Sequence, residues 1–206
     1  MKLYDTSYSK CPCFWGTEPA GIVKKAVELT LIDSRDKKLR AIDFGCGEGK
    51  NVAFIANNGI SVVGVDQSSL AIEHAITLYS DLNASFLICD MLQVDGASNS
   101  VDLVVSTGSL HCLSSEAEVI QMIEKMYRLA KPGGYIAISS FNNRANDFSG
   151  HDAYFNPILL PHDFYLYQLR SLEIISSSDE VLVDVHPDNN IRHSHTITRI
   201  LARKRQ

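Results

Sequence analysis

The sequence has 206 residues, of which 45% are apolar and 21% charged, a composition typical of one globular domain with a sizeable core. A net charge of -5 argues against a nucleic-acid-binding face, because phosphate contacts need clustered Lys and Arg. The start MKLYDTSYSK lacks the apolar stretch of a signal peptide, and no apolar run reaches membrane-spanning length. We therefore expect a cytoplasmic monomer or homodimer without nucleic-acid or membrane partners.

Short β-rich runs alternate with helical periods along the first two thirds of the chain. The first helix is predicted to follow Thr17-Glu18-Pro19, with proline in its first turn. Ser115 and Glu118 form a capping-box pattern at the start of a later helix. This alternation predicts a doubly wound, mostly parallel α/β sheet covered on both faces. The predicted strands are 41–44, 62–65, 86–88, 101–105 and 135–140.

The last third of the chain has a different pattern. Two β-rich runs, 180–185 and 196–202, are joined by the polar turn HPDNNIRH, which predicts an antiparallel hairpin at a sheet edge. We therefore expect a single domain over 1–206. It is divided into an N-terminal cap segment and helix (1–38), the sheet, an aromatic lid (141–170) and the C-terminal hairpin (171–206).

The stretch AIDFGCGEGKN joins the first strand to a helix. Ligands of open α/β sheets bind beyond the carboxyl ends of the strands, and glycines let backbone approach them closely. The dinucleotide fingerprint G-x-G-x-x-G, counted from Gly45, requires glycine where the chain has Lys50. The observed spacing is D-x-G-x-G-x-G, with Asp43 before the glycines. An acidic residue there suits a ligand with an amino group and a sulfonium, as in S-adenosylmethionine.

Carboxylates also end the next two predicted strands. Asp66 follows the turn by about twenty residues, where a carboxylate can accept both ribose hydroxyls. Asp90 ends the third strand, where a carboxylate can accept the adenine amine while the Met91 backbone meets the ring. Each aspartate taken singly has helix capping as an alternative role. Three acidic strand ends beside one glycine turn favour the ligand.

Five motifs resemble, in order, those of class I S-adenosylmethionine-dependent methyltransferases: AIDFGCGEGKN, VVGVDQSS, FLICDM, VDLVVSTGSLHCL and KPGGYIAISSF. The resemblance implies a seven-stranded Rossmann-like sheet whose last strand is antiparallel. It also implies an enzyme that uses S-adenosylmethionine and releases S-adenosylhomocysteine. We assign cofactor contacts to Asp43, Gly45, Cys46, Gly47, Asp66, Gln67, Asp90, Met91 and Thr107.

A closer resemblance is to the tellurite-resistance methyltransferases and their relatives that methylate small thiol, selenium and tellurium compounds. It rests on the aromatic N-terminal segment, VDLVVST, KPGGY and the ending DVHPDNNIRHSHTITRILARK. In that family a histidine and an arginine of the C-terminal hairpin reach the substrate mouth. This implies Arg192 here, and His186 if the turn is two residues shorter. With His111 after the fourth strand, these are the predicted catalytic residues, and a chalcogen oxyanion or thiol is the favoured acceptor.

Several alternatives stay open at this point. The acceptor is alternatively an oxygen, nitrogen or carbon of another small metabolite, and the protein a dinucleotide oxidoreductase or a non-catalytic cofactor-binding regulator. The histidines of the hairpin, His186, His193 and His195, alternatively populate a solvated turn. Cys11 and Cys13 could capture a soft metalloid, but we predict no resident metal, because a lone C-x-C lacks a second ligand pair.

Overall fold

The computed structural model describes residues 5–33 and 38–206. They form an α/β fold, in which one seven-stranded sheet has helices on both faces. The strands are β1 (Arg40–Phe44), β2 (Ser61–Asp66), β3 (Ala84–Ile88), β4 (Val101–Thr107), β5 (Ala130–Asn146), β6 (Glu173–Val185) and β7 (Arg192–Arg203). The helices are α1 (Asp5–Lys10), α2 (Gly21–Asp33), α3 (Lys50–Asn57), α4 (Ser69–Leu78), α5 (Glu116–Leu129) and α6 (His162–Gln168).

The seven strands lie in the order β3-β2-β1-β4-β5-β7-β6. Strands β1 to β5 are parallel, and β7 is antiparallel to both β5 and β6. The predicted Rossmann-like fold with an antiparallel C-terminal hairpin is therefore confirmed. The strand order reverses between β1 and β4, so the carboxyl ends of these strands frame the crevice in which such sheets bind ligands.

Local sequence signals explain where the helices begin and end. The Ser115 hydroxyl accepts from the Glu118 amide at 3.3 Å, while the Glu118 carboxylate accepts from the Ser114 amide at 2.8 Å, so the predicted cap of α5 forms. Helix α3 ends at Asn58 and Gly59, where glycine adopts a φ of 81° that other residues rarely tolerate.

The structure departs from the predicted elements in several places, and β6 begins at Glu173, seven residues before the predicted strand. Helix α1 was not predicted, because one short polar turn carries no hydrophobic period. Helix α2 begins at Gly21, two residues after Pro19. Strand β5 continues to Asn146, which pairs with His195 of β7, so strand occupies the first part of the segment predicted as a lid.

Two hydrophobic clusters fill the two faces of the sheet, one beneath α5 and α6 and the other beneath α2, α3 and α4. A smaller third cluster joins the N-terminal segment to α4 through Tyr8, Phe14 and Ala71. The N-terminal segment is thereby placed over the crevice. Across the described part of the chain, no helix combines the length and the hydropathy needed to span a bilayer.

Candidate active site

A cavity of about 530 Å³ opens at the carboxyl ends of β1, β2, β3 and β4. Its volume lies within the range of small-molecule sites, roughly 300–1,000 Å³. Eight of the nine residues predicted to contact the cofactor line it; Asp43 does not. The eight are Gly45, Cys46, Gly47, Asp66, Gln67, Asp90, Met91 and Thr107.

The glycine turn forms the floor of this cavity. Gly45 and Gly47 have φ values of 71° and 53°, in the left-handed region that favours glycine. A Cβ on Gly45 would lie 2.2 Å from the Cβ of Ser109, whose hydroxyl donates to the carbonyl of Phe44 at 2.9 Å. A Cβ on Gly47 would lie 2.7 Å from the hydroxyl oxygen of Tyr8. The turn is therefore bare backbone, as a closely approaching ligand requires.

The two carboxylates that end β2 and β3 are fixed by backbone amides. Asp66 accepts from Gly47 with one oxygen and from Ser68 with the other, both at 2.9 Å. Asp90 accepts from Leu92 at 2.9 Å and caps the short turn that follows β3. A carboxylate oxygen has more than one lone pair, so capping and ligand contact are compatible. Both side chains stay at the cavity wall in a fixed orientation.

Asp43 lies within the protein interior next to the turn. It is fully buried, and neither carboxylate oxygen has a hydrogen-bond partner among residues 5–33 and 38–206. Burial raises its pKa to about 7; Asn51 and Lys50 oppose this rise, whereas Asp66 adds to it. An unpartnered buried carboxylate is costly, and a cationic ligand nearby would offset that cost. Asp43 does not line the cavity, so its carboxylate would favour a cofactor with ammonium and sulfonium groups through its charge and not by direct contact.

The N-terminal segment closes the cavity from above. Glu48, in the glycine turn, accepts from the backbone amides of Cys13 and Phe14, each at 2.8 Å. Lys50 donates to the carbonyl of Trp15, which lines the cavity. An ion pair of 2.6 Å between Lys10 and Asp188 joins the same segment to the hairpin turn. The sequence analysis did not predict that Glu48 and Lys50 hold the N-terminal segment, although charged residues on both sides of Gly49 were a signal for such contacts.

The end of the cavity opposite the β2 and β3 carboxylates has aromatic and imidazole walls. His111 is 3% exposed and stacks on Phe141 with ring centroids 4.2 Å apart. The Nδ1 of His111 accepts a hydrogen bond from the Phe141 backbone amide at 3.3 Å. Burial, with smaller contributions from His151 and His195, lowers the pKa of His111 to about 3. This imidazole is therefore neutral at physiological pH.

Two of the three predicted catalytic residues, Arg192 and His186, lie outside the cavity lining, whereas His111 is part of it. Arg192 is exposed at the start of β7 and does not line the cavity, whereas Arg199 does and pairs with Glu180. Side chains alternate along a strand, so Arg199 shares a face with His193 and His195 while Arg192 points the other way. His186 is buried and also lies outside the cavity lining.

The alternative of a solvated histidine turn is wrong. His186 and His193 are each 3% exposed, and His195 is completely buried.

Of the two N-terminal cysteines, Cys13 lines the cavity and Cys11 does not. The pKa of Cys13 is raised by desolvation, then by Glu48 and Cys11, which favours the thiol over the metal-capturing thiolate.

Comparison with known proteins decides the class of this site. Positions 41–134 match the family model of the methyltransferase domain. Residues 41–134, somewhat less than half of the chain, are therefore similar to a methyltransferase domain. The match confirms the predicted enzyme class, an S-adenosylmethionine-dependent methyltransferase, and its cofactor for this domain.

Two curated relatives have similar domains. A Geobacillus sp. (strain WCH70) protein, named as a methyltransferase without a stated substrate, is 29% identical over 60% of this chain and 56% of its own length. The tRNA (carboxymethyluridine(34)-5-O)-methyltransferase of Arabidopsis thaliana is 30% identical over 52% of this chain and 25% of its own length. The chain therefore aligns with about half of the first relative and a quarter of the second.

Solved structures are similar over more of the chain. TehB from Haemophilus influenzae has a TM-score of 0.70 at 18% identity, covering 88% of this chain and 62% of that one. The Burkholderia thailandensis 1,6-didemethyltoxoflavin-N1-methyltransferase, solved with its substrate and S-adenosylhomocysteine, has a TM-score of 0.69 at 19% identity, covering 98% and 86%. At these identities the likeness establishes the fold of the methyltransferase domain.

We expect Asp66→Ala to weaken S-adenosylmethionine binding by about 1–3 kcal/mol, because the ribose hydroxyls would lose a half-buried acceptor. Calorimetric titration of the purified protein measures this change. Asp81→Ala is the matched control, since Asp81 is an exposed aspartate outside the cavity. An affinity equal to that of the wild type would show that the ribose does not lie against Asp66.

Proposed function

We propose that this protein transfers the methyl group of S-adenosylmethionine to a small-molecule nucleophile, and that the favoured acceptor is a chalcogen oxyanion or a thiol. The observation that carries the proposal is the enclosed end of the cavity around His111. His111 lines this cavity of about 530 Å³ together with Phe141, His151 and Phe155, and its imidazole is held neutral.

The glycine turn and the strand-end carboxylates would hold the cofactor. Gly45 and Gly47 would lie against its amino-acid portion, Asp66 against the ribose, and Asp90 with Met91 against the adenine. Bound there, S-adenosylmethionine supplies an electrophilic methyl group and leaves as a neutral thioether. The protein then has to orient the two reactants and exclude water. The N-terminal segment, through Trp15, supports water exclusion.

The chemistry of the acceptor end favours a nucleophile that needs little help from a base. His111 has a pKa near 3 and its Nδ1 accepts from the Phe141 amide, so the neutral ring carries its proton on Nε2. It can donate a hydrogen bond from Nε2 but is a weak general base. Alcohol and carbon acceptors must lose a tightly held proton during transfer. Thiols ionise near pH 8.5, and chalcogen oxyanions already carry negative charge and lone pairs. Arg199, at the same cavity, would attract an anionic acceptor.

The relatives widen the set of acceptors to be tested. The Arabidopsis relative is named for tRNA, and one similar structure is a complex of a methyltransferase with the Trm112 activator from Haloferax volcanii. The acidic composition and the cover formed by residues 5–16 support a small acceptor in this protein. Its cytoplasmic location and its state as monomer or homodimer stay predictions.

The experiment is an acceptor screen of the purified protein with S-adenosylmethionine. We expect S-adenosylhomocysteine to accumulate with tellurite, selenite or a small thiol. A thiol should give a volatile thioether in the headspace by mass spectrometry, whereas methyl transfer to an oxyanion should give a methylated oxyanion in solution, since a volatile telluride or selenide would need an added reductant. Asp66→Ala supplies a control with reduced cofactor affinity, which should need a higher S-adenosylmethionine concentration for the same turnover. Turnover only with a hydroxyl, amine or carbon acid would establish the metabolite alternative, and turnover only with RNA would overturn the small-molecule proposal. Stabilisation by NAD(H) but not by S-adenosylmethionine would indicate an oxidoreductase.

A further inference from the structure

Four imidazoles and one carboxylate converge between the hairpin and the segment after β5. They are His151, His186, His193, His195 and Asp184, here named the histidine cluster. One ligand atom each from His151, His193 and His195 lies within 4.8 Å of the others, and the same holds for Asp184, His186 and His193. The ring centroids of neighbouring imidazoles are 4.6–5.1 Å apart.

Hydrogen bonds on the outer side of the cluster define which ring nitrogens carry protons. The Nδ1 of His186 lies 2.9 Å from the carbonyl of Gly150, and the Nδ1 of His193 lies 2.8 Å from the carbonyl of Ile191. A carbonyl only accepts, so each Nδ1 donates a proton, and the Nε2 of each neutral ring has a free lone pair. Both Nε2 atoms are buried without a hydrogen-bond partner in the described chain.

The remaining members add further lone pairs to the same space. The Nε2 atoms of His151 and His195 are 2.9 Å apart, so at most one of them supplies the proton between them. The Nδ1 of His195 is buried without a partner among the described residues. The nearest carboxylate oxygen of Asp184 is 3.6 Å from the Nε2 of His186. Protonated His186 can pair with Asp184 at this distance. The Nε2 of His193 and the Nδ1 of His195 have no such partner in the described chain, and buried nitrogens of this kind are costly unless a cation or proton lies between them.

We propose that the histidine cluster binds one divalent transition-metal ion of the zinc, iron or copper type, with His151, His193 and His195 as ligands and His186 with Asp184 beside them. Imidazole nitrogens suit these metals. Ligating histidines usually donate their second ring nitrogen to a backbone carbonyl or carboxylate, which is the arrangement of His193 with Ile191.

The rings are held in place before any ion binds. The His195 ring stacks on Phe141 and on Phe148, with centroids 4.3 and 5.1 Å apart. A Cβ on Gly150 would lie 2.2 Å from the Nδ1 of His193, so only glycine lets the backbone pass this close to the ring. Such fixed ring orientations lower the ordering cost of metal binding.

The metal site would adjoin the acceptor. His151 and Asp184 line the cavity as well as the cluster, so a bound ion would lie at the enclosed end of the cavity near His111. This step rests on the proposed function: an ion with an open coordination position would bind a thiolate or oxyanion and hold it for methyl transfer. The sequence prediction of no metal considered only the C-x-C. The histidine ligands come from two separate segments, and H-x-H alone is too short a signal to reveal them.

Cobalt(II) titration of chelator-treated protein, without S-adenosylmethionine, tests the site. We expect saturable uptake of one ion with the visible absorption of imidazole-bound Co²⁺, and displacement by Zn²⁺. His151→Ala and His193→Ala should each weaken binding at least about 100-fold, since even indirect partners of metal ligands contribute 10–100-fold. The matched control is His162→Ala, because His162 contacts Thr198 and Ser177 outside the cluster.

Two outcomes would overturn the site: wild-type protein without saturable uptake, or unchanged affinity in His151→Ala. His151 is only half-buried and lies in a loop, so this variant decides the matter if His193→Ala fails to fold. Binding and methyl transfer are separate readouts. Metal uptake without turnover on any acceptor would refute the proposed function and leave the site standing, whereas turnover with no metal uptake would do the reverse.

Discussion

Gly45→Ala is expected to abolish detectable S-adenosylmethionine binding and to destabilise the protein. Alanine at a φ of 71° costs about 1–2 kcal/mol. Its Cβ would also lie 2.2 Å from that of Ser109, and relieving such a collision typically adds about 1–3 kcal/mol. The turn must move, and its amides then no longer line the cavity in the same positions. Thermal unfolding and calorimetric titration measure the two effects.

Two further variants separate strain from collision. Gly59→Ala places a Cβ at a φ of 81° in open space, so it should show only the conformational cost and leave cofactor binding intact. Combining Gly45→Ala with Ser109→Gly removes the atoms that the new Cβ would meet and should recover part of the lost stability. Full cofactor affinity in Gly45→Ala would show that the turn does not touch the ligand.

Asp43→Asn is expected to stabilise the apoprotein at alkaline pH while weakening the cofactor complex. The native carboxyl keeps its proton up to a pKa of about 7, against 3.8 for an ordinary aspartate. Between these values the native state binds more protons than the unfolded state, so the free energy of unfolding falls as pH rises. At pH 8 the free energy of unfolding of the wild type is therefore lower than that of Asp43→Asn by as much as about 4 kcal/mol, less the cost of burying the new amide.

The measurement is the melting temperature of wild type and Asp43→Asn between pH 5 and about 8.5, a range that spans the raised pKa of Asp43. The gap between the two proteins should open as pH rises. Cofactor affinity should rise with pH through about 7 in the wild type, because the ionised carboxylate attracts a cation, and should be weaker and flatter in the variant. Parallel curves for the two proteins would place the carboxylate in a solvated or paired environment.

The sheet and the cofactor end of the site were accessible from sequence because their signals are local. The glycine turn, Asp66 and Asp90 each lie at a fixed point in a strand–turn–helix pattern. Parallel strands bring such points to one edge without further information. The structure accordingly brings Asp66 and Asp90 to one cavity, even though both also cap backbone amides.

The acceptor end was not accessible in the same way. It is assembled from β5, the segment after it and the hairpin, whose relative placement depends on the register of β6 against β7. Counting from the chain end selected Arg192, but alternation along β7 turns Arg199 to the cavity instead. The burial of His186 depends on its packing against Trp15, an N-terminal contact with no sequence period to reveal it.

The cover over the crevice has a kinetic consequence. Residues 5–16 are attached by the amide contacts to Glu48 at one end of the crevice and by the Lys10–Asp188 ion pair at the other. In each methyl-transfer cycle S-adenosylhomocysteine must leave and S-adenosylmethionine must bind. Both molecules pass through the space beneath residues 5–16. The detachment rate of this cover then sets an upper bound on turnover that rises with ionic strength, since salt weakens the partly exposed ion pair while leaving the buried Glu48 contacts in place.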